Sequence, residues 1–283
     1  TPIGNLGDLS PRAIETIQKA DILACEDTRM TRKLLSLCGI KTAAKLLPYH
    51  DHNGPTMRPK LLAELTAGRS VALVSDAGTP LISDPGFKLV AACHAAGVPV
   101  TAIPGASAVL AGLAIAGLPS DRFLFAGFIP ASTSAATTAF TEIAGLTATS
   151  IWFESPKRLA ANLTLMLAIF GDRQAVITRE LTKLHEECHR GTLADLASHY
   201  AAAPTPKGEI VVLIAGADVK ETQFDTQKLT FMLREEMRVS SLRDAVKTVA
   251  EISERPRKLI YSLAIDLDKN EGEDKDELAP RFK

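Results

Sequence analysis

Net charge is nearly absent from this 283-residue chain: 32 Lys and Arg stand against 33 Asp and Glu, a formal net charge of −1. No global basic field advertises nucleic acid, so a polyanion site has to be a local patch. Cysteine is sparse as well. Cys25, Cys38, Cys93 and Cys188 are scattered and none forms a C-x-x-C pair, which argues against a disulfide framework and for a reducing, cytoplasmic setting. No charged-then-apolar leader is present. The chain opens on Thr1 without a Met, and some of the natural N-terminus is expected to be missing. Ala95–Ser120 lacks charge altogether, and a membrane-spanning helix needs about 20 mostly apolar residues. Pro99, Pro104, Pro119 and many Gly and Ala interrupt the run, so it reads as a buried strand, a turn and a small-residue helix, not as a membrane span. What is there is ordinary for a globular protein: 46% apolar and 23% charged residues, enough for a sizeable core in one large or two medium domains.

Several catalytic signatures are missing. There is no G-x-G-x-x-G and no G-x-x-x-x-G-K-[ST], which argues against a Rossmann dinucleotide enzyme and a P-loop NTPase. No G-x-S-x-G elbow occurs. His185-Glu186-Glu187-Cys188-His189 does spell H-E-x-x-H, but that zinc chemistry needs a helix that puts both imidazoles on one face. The flanking residues continue no amphipathic helix, and on a strand the two histidines stand about 13 Å apart at about 3.3 Å per residue. Glu209 has a tempting spacing for a third ligand but opens an expected strand. No metal is expected.

The pattern along the chain alternates strand, loop and helix. Ser10-Pro11 caps a helix, Ile22–Cys25 is a short buried strand, and a helix over about 30–38 ends at Gly39. A strand near Lys45–Tyr49, a helix over about 59–66, strand Val71–Val74, helix Phe87–Ala96, strand Val98–Ile103 and helix Ala106–Ala116 follow. Such alternation means a mostly parallel sheet covered by helices. Gly117-Leu118-Pro119-Ser120 marks a boundary between an N-terminal α/β domain, 1–118, and a second, 119–218. The second is expected to contain strands at Phe123–Ile129, Ser150–Phe153, Ala175–Thr178, Lys183–His189 and Gly208–Ala215, with Ser155-Pro156 capping a helix that ends at Gly171 and Thr192 capping another. Residues 224–267 read as a three-helix, helix-turn-helix-like appendage. Residues 268–283 are acidic, poor in apolar side chains, and expected to be a disordered tail.

Three Gly/Pro-rich loops stand out: Thr1-Pro2-Ile3-Gly4-Asn5, Ser75–Gly86 and Pro104–Ala108. The last two follow expected parallel strands, where open α/β sheets bind ligands and glycine lets the backbone come close. Tight strand–helix turns would look the same. Polar clusters end two further strands, Glu26-Asp27-Thr28-Arg29 and His50-Asp51-His52-Asn53. A cleft mixing acid, base and cation follows if those strands share a sheet.

Together with Gly117–Phe123 and Arg179-Glu180-Leu181-Thr182-Lys183, these strings occur in an order that closely resembles the bacterial small-subunit ribosomal RNA cytidine 2′-O-methyltransferases of the tetrapyrrole-methylase superfamily. The resemblance runs from residue 1 to about 216 and is looser beyond. It implies a two-domain tetrapyrrole-methylase-like α/β fold with mostly parallel sheets. It also implies S-adenosylmethionine as methyl donor, a cytidine ribose of 16S rRNA in the small subunit as acceptor, and a homodimer. Two departures are visible. The short strand that usually precedes Thr-Pro-Ile-Gly-Asn is lacking, and Ala131–Ala139 carries Ser, Thr and Ala where relatives often carry Lys or Arg.

By this resemblance Pro2, Ile3, Asp76, Gly78, Thr79, Ile82, Ser107, Ala108 and Phe153 line the donor pocket. Glu26, Asp27, Asp51 and His52 are the candidate catalytic groups, an imidazole being suited to take a proton near neutral pH. Arg29, Asn53 and Lys183 are the candidate substrate contacts, the two cations through phosphate. Two rivals exist. A methylase acting on a tetrapyrrole is disfavoured by Glu26-Asp27-Thr28-Arg29 and by the appendage. A non-enzymatic RNA-binding protein is disfavoured because residues 220–262 carry nine Lys/Arg against seven Asp/Glu, too little excess for phosphate-driven binding.

Overall fold

A computed structural model of the chain describes residues 1–218, 226–253 and 255–277. It forms two compact units, one of residues 1–142 and 148–215 and one of 143–147 and 216–283.

In the first unit α1 (Pro11–Lys19) starts as its sequence dictates: Ser10 Oγ accepts from Ala13 N at 3.2 Å and Pro11 occupies the first turn. β1 (Ile22–Cys25), β2 (Lys45–Pro48) and β3 (Val71–Val74) form a parallel sheet in the order β2-β1-β3. All four β1 residues are buried, because helices cover both faces. Leu23 and Cys25 pack with Ile17 and Leu35 on one side, while Ile22 and Ala24 pack with Leu61 and Leu89 on the other. α2 (Thr28–Leu37), α3 (Gly54–Thr66), α4 (Phe87–Ala95) and α5 (Ala108–Ala116) are the other helices of this half.

Two expectations fail here. The helix expected from Pro59 begins at Gly54, with Pro59 inside it. Pro55 stands one turn earlier and fits the first turn, where no amide bond is missed. The strand expected at Val98–Ile103 does not form. It runs beside the free edge of β3 but across a cavity of about 560 Å³ lined by Val71–Val74 and Val98–Gly105, so its backbone has no ladder partner there.

The second sheet holds β4 (Phe123–Phe128), β5 (Thr149–Glu154), β6 (Gln174–Arg179), β7 (Glu187–Thr192) and β8 (Ile210–Ile214) in the order β4-β5-β8-β6-β7. Only β4 and β5 run parallel; the other three pairings are antiparallel. The expectation of mostly parallel sheets therefore holds for the first sheet and fails for the second. The strand expected at Lys183–His189 starts only at Glu187, because residues 180–186 form a loop in which Glu180 and Thr182 take φ +51° and +66°. That turn lets β7 fold back antiparallel on β6. α5 covers one face of this sheet, where Val109 and Leu113 pack on Ile151 and Val211.

Around the sheet lie α6 (Thr133–Ile143), α7 (Leu159–Phe170) and α8 (Leu193–Ala202). Phe140 of α6 stacks edge-on against Trp152 at 5.2 Å and tilts against Phe170 at 5.6 Å. α7 begins at Leu159 with Arg158 before it, so Ser155-Pro156 is a turn and not its cap. Thr192 caps α8 in a reciprocal box with Asp195.

In the second unit α9 (Thr226–Val239), α10 (Leu242–Ser253) and α11 (Arg257–Glu277) share a core of Leu229, Leu233, Val249, Ile260 and Ala264. The expected start of the appendage at Phe224 lies outside the described residues. The stretch from 268, expected to be a tail, continues as helix to Glu277, and 278–283 lie outside the described residues. Among the described residues no helix is long and apolar enough to cross a membrane.

Leu23, fully buried at the centre of the first sheet, sets a test of this core. Leu23→Ala is expected to cost about 2–5 kcal/mol of folding stability, read as a lowered denaturant midpoint with unchanged slope.

Candidate active site

The three Gly/Pro-rich loops meet. Thr1 Oγ1 lies 3.0 Å from the Ser75 carbonyl and 3.1 Å from that of Gly78. Gly78 N donates to the Pro2 carbonyl at 3.2 Å, and Thr79 Oγ1 donates to the Ala106 carbonyl at 3.0 Å. Ser75 Oγ closes the turn by donating to Gly78 O at 3.0 Å. Gly78 has φ +76°, and a Cβ there would stand 3.2 Å from Ile3 Cγ2 and 3.5 Å from Ala106 O. Only glycine fits both the backbone conformation and the space. Ile82 N reaches Thr79 O at 3.4 Å within the same loop. Ser107 precedes α5 with a side chain that makes no capping bond.

The second sheet places apolar side chains beside these loops. Ile3 is buried in one cluster with Val109, Val211 and Leu181, and Ala106, Ala108 and Phe153 pack against it. Of the nine expected donor residues, Ile3, Ala108 and Phe153 share this apolar cluster, while Pro2, Gly78 and Thr79 join the loops by hydrogen bonds. Small side chains, main-chain groups and an apolar wall form a cradle that suits a nucleoside carrying a sulfonium.

Because β1 is central, its C-terminal end lies between those of β2 and β3, so both polar clusters flank one sheet edge. Asp76 Oδ1 accepts from Asp27 N at 3.2 Å, and Glu26 Oε2 accepts from Asp76 N at 3.2 Å. Burial, then the charges of Glu26 and Asp76, push the Asp84 carboxyl up to about 6. Burial and Glu26 raise Asp76 as well. Asp27 behaves oppositely. Arg29 grips its carboxylate, Nη2 to Oδ2 at 2.6 Å and Nε to both oxygens at 3.1 Å, and holds it down at about 2. The same carboxylate caps α2 by accepting from Arg29 N at 2.7 Å.

The His50–Asn53 turn is tied by Asn53, whose Oδ1 accepts from His50 N and whose Nδ2 donates to Pro48 O, both at 2.9 Å. His52 sets its ring edge-on to His50 at 6.0 Å, Asp51 is exposed beside it, and no hydrogen bond joins His52 to Asp27 among the described residues. Lys183 lies on another loop. Its ammonium bonds Glu180 Oε1 at 2.9 Å and Glu209 Oε2 at 3.0 Å, and its stem fills the space over Gly4. That contact brings Arg179–Lys183 to the Thr1–Asn5 loop.

The H-E-x-x-H string straddles the loop and β7 and is not helical. His189 Nδ1 instead lies 3.1 Å from the Tyr200 hydroxyl. Sequence reading passed over Ser75, Asp84, Glu154 and Arg158. Glu154 carried a signal, a lone carboxylate ending an apolar strand. Asp84 carried none, because its burial arises from the folding of the loop around it.

This fold, with glycine loops and an acidic edge at one end of a parallel sheet, defines a methyltransferase of the tetrapyrrole-methylase type. The model of the Tetrapyrrole (Corrin/Porphyrin) Methylases matches residues 1–197. A cobalt precorrin-4 methyltransferase structure superposes with TM-score 0.55 at 18% identity, covering 76% of this chain and 91% of its own. A uroporphyrin-III C-methyltransferase from Thermus thermophilus, complexed with S-adenosylhomocysteine, gives 0.50 at 17%, covering 75% and 93%. Ribosomal RNA small subunit methyltransferase I of Mesorhizobium japonicum is 48% identical over 96% of this chain and 92% of its own. The chain belongs to the ribosomal RNA small subunit methyltransferase I family within the tetrapyrrole methylases. S-adenosylmethionine is the methyl donor of this methylase family.

Gly78→Val is expected to weaken donor binding by about a hundredfold or more, the scale of a strained left-handed valine, in a protein whose near-UV circular dichroism stays native. Calorimetry checks it, and unchanged affinity would remove Gly78 from the pocket. Asp84 makes a pH prediction. Its folded pKa lies above the unfolded value, so the charged form costs stability above about pH 6 and the cost fades as pH falls toward 4. Asp84→Asn is expected to raise the melting temperature at pH 7.5 and leave it unchanged at pH 4.

Proposed function

We propose that this chain methylates a cytidine ribose 2′-hydroxyl of 16S rRNA on assembled small ribosomal subunits in the cytoplasm, acting as a homodimer. One observation carries the reading: the loop cradle and the titratable residues of Glu26–Arg29 and His50–Asn53 flank the C-terminal edge of a single parallel sheet. The relatives' name and the order of the sequence motifs support the choice of acceptor.

When bound, S-adenosylmethionine supplies a methyl group on an electrophilic sulfonium. The protein's main task is then to hold donor and acceptor in line. Pro2, Gly78, Thr79 and Ala106 do so through backbone and hydroxyl bonds that leave the loops little freedom. His52, exposed in the turn after β2, would take the proton of the acceptor hydroxyl on its imidazole. Asp27 stays ionised under Arg29 and acts by orienting that guanidinium toward a phosphate. Asn53 holds the histidine turn, and Glu26 and Asp51 give the edge negative charge, suiting a neutral hydroxyl better than a second phosphate. Lys183, packed on Gly4 and held by Glu180 and Glu209, steadies the Thr1–Asn5 loop.

Labelled donor, small subunits and nucleoside analysis test the reading: 2′-O-methylcytidine is expected, and label on a base or on another nucleoside overturns it. With so little basic surface, activity on assembled subunits is expected to exceed that on bare transcript by at least about tenfold, with a shallow salt dependence. His52→Ala is expected to lower the single-turnover rate about 10²–10⁴-fold while donor affinity stays intact. A loss below tenfold at saturating donor and subunit would exclude it as the base.

A further inference from the structure

Just past β4 the main chain is held by a side chain that belongs to none of the three loops. Glu154 ends β5 with a carboxylate closed to solvent. It accepts from Ser155 N and Asn162 Nδ2, and Arg158 Nη2 pairs with it at 2.8 Å. Stripped of these partners, such a buried charge would be strongly destabilising. The rest of the guanidinium looks elsewhere: Nε donates to Ser155 Oγ at 3.0 Å, and Nη1 donates to the carbonyls of Ile129 at 3.0 Å and Pro130 at 2.9 Å. A planar fork of donors suits this task; a lysine ammonium does not.

Phe153 precedes Glu154 and faces the other side of the sheet. Its ring meets Phe125 at 4.8 Å and Phe128 at 5.2 Å. In a regular strand residues 125 and 128 would face opposite ways. Gly127, at φ +77°, shifts the register between them so that both rings reach Phe153. A Cβ on Gly127 would stand 3.9 Å from Ser83 Oγ, so this bulge abuts the Ser75–Gly86 loop. Phe128 is 59% exposed, and burial alone does little to hold it. What holds it is the next residue, pinned at both ends: Ile129 N donates to Phe153 O at 3.0 Å, and its carbonyl is gripped by Arg158.

We propose that Arg158, held by Glu154, is a positioning residue of the donor pocket: by gripping the Ile129 and Pro130 carbonyls it fixes Phe128 against Phe153 and so sets the aromatic wall that the donor meets. This rests on the reading of Phe153 as a pocket residue. Arg158 touches no donor and acts only through Phe128.

Donor dissociation constants, measured by calorimetry on the full chain, test this with Phe153→Ala, Phe128→Ala, Arg158→Lys and the Phe128→Ala/Arg158→Lys double variant. Each single change is expected to weaken donor binding about tenfold, the scale of one lost aromatic contact. The double variant is expected to bind no more weakly than Phe128→Ala alone, since both act through one contact. For Arg158→Lys the rate at saturating donor and subunit is expected to change less than about twofold. A wild-type constant for Arg158→Lys, or an additive loss of about a hundredfold in the double variant, overturns the proposal while leaving the pocket in place. A wild-type constant for Phe153→Ala overturns the pocket reading and the proposal with it. Should Arg158→Lys fail to fold, the Glu154→Gln/Arg158→Gln variant removes both buried charges: about tenfold weaker binding supports the proposal, and wild-type binding overturns it.

Discussion

At Gly78 the main chain takes a left-handed turn with Ile3 on one side and the Ala106 carbonyl on the other, and the first sheet's ligand edge is organised around that contact. The Ser75 hydroxyl, Thr1 hydroxyl, Pro2 carbonyl and Thr79 hydroxyl all bond across the same few ångströms. Each bond is individually modest. Together they join three loops, 27 to 77 residues apart in sequence at these contacts, into one surface of small side chains and main-chain groups, which lets a ligand approach the backbone closely.

Electrostatics on that edge divide into a neutralised part and a strained part. Asp27 and Arg29 neutralise one another. Glu26, Asp76 and Asp84 crowd together, and burial first, then the charges of Glu26 and Asp76, lift Asp84 to about 6. Perturbed carboxyls of this kind gather at functional sites. The penalty they impose is tolerated because the apolar cores on both faces of β1 hold the strand ends where they are.

The second sheet serves the site through the alternation of a single strand. Phe153 turns toward Ile3 and Ala108, while Glu154 turns into the network with Arg158 and Asn162. The apolar cluster and the Glu154–Arg158 pair are therefore back to back on β5. β5 is paired on both edges, with β4 through a bulged register and with β8 through a regular one, which makes it a firm support.

Much of this was legible in the linear chain. Ser10, Thr192 and Gly78 announce a cap, a cap and a close turn through local stereochemistry, and four consecutive apolar residues in Ile22–Cys25 announce a strand covered on both faces. The motif order carried the family and singled out the three loops that meet. What the chain could not reveal by itself depends on partners distant in sequence. Val98–Ile103 has a strand's composition, yet a strand exists only where a neighbour supplies its hydrogen bonds. Lys183–His189 alternates like a strand, yet Glu180 and Thr182 turn the chain before it can continue. Asp27, beside His52 in the motif logic, is taken by Arg29, two residues away. Glu154 and Arg158 look like a surface pair one helical turn apart until β4 and α7 close over them and turn that pair into a buried clamp. Local propensity and spacing act within a few residues; desolvation and ladder pairing are set by whatever the fold brings alongside, and those two decided the geometry of the site.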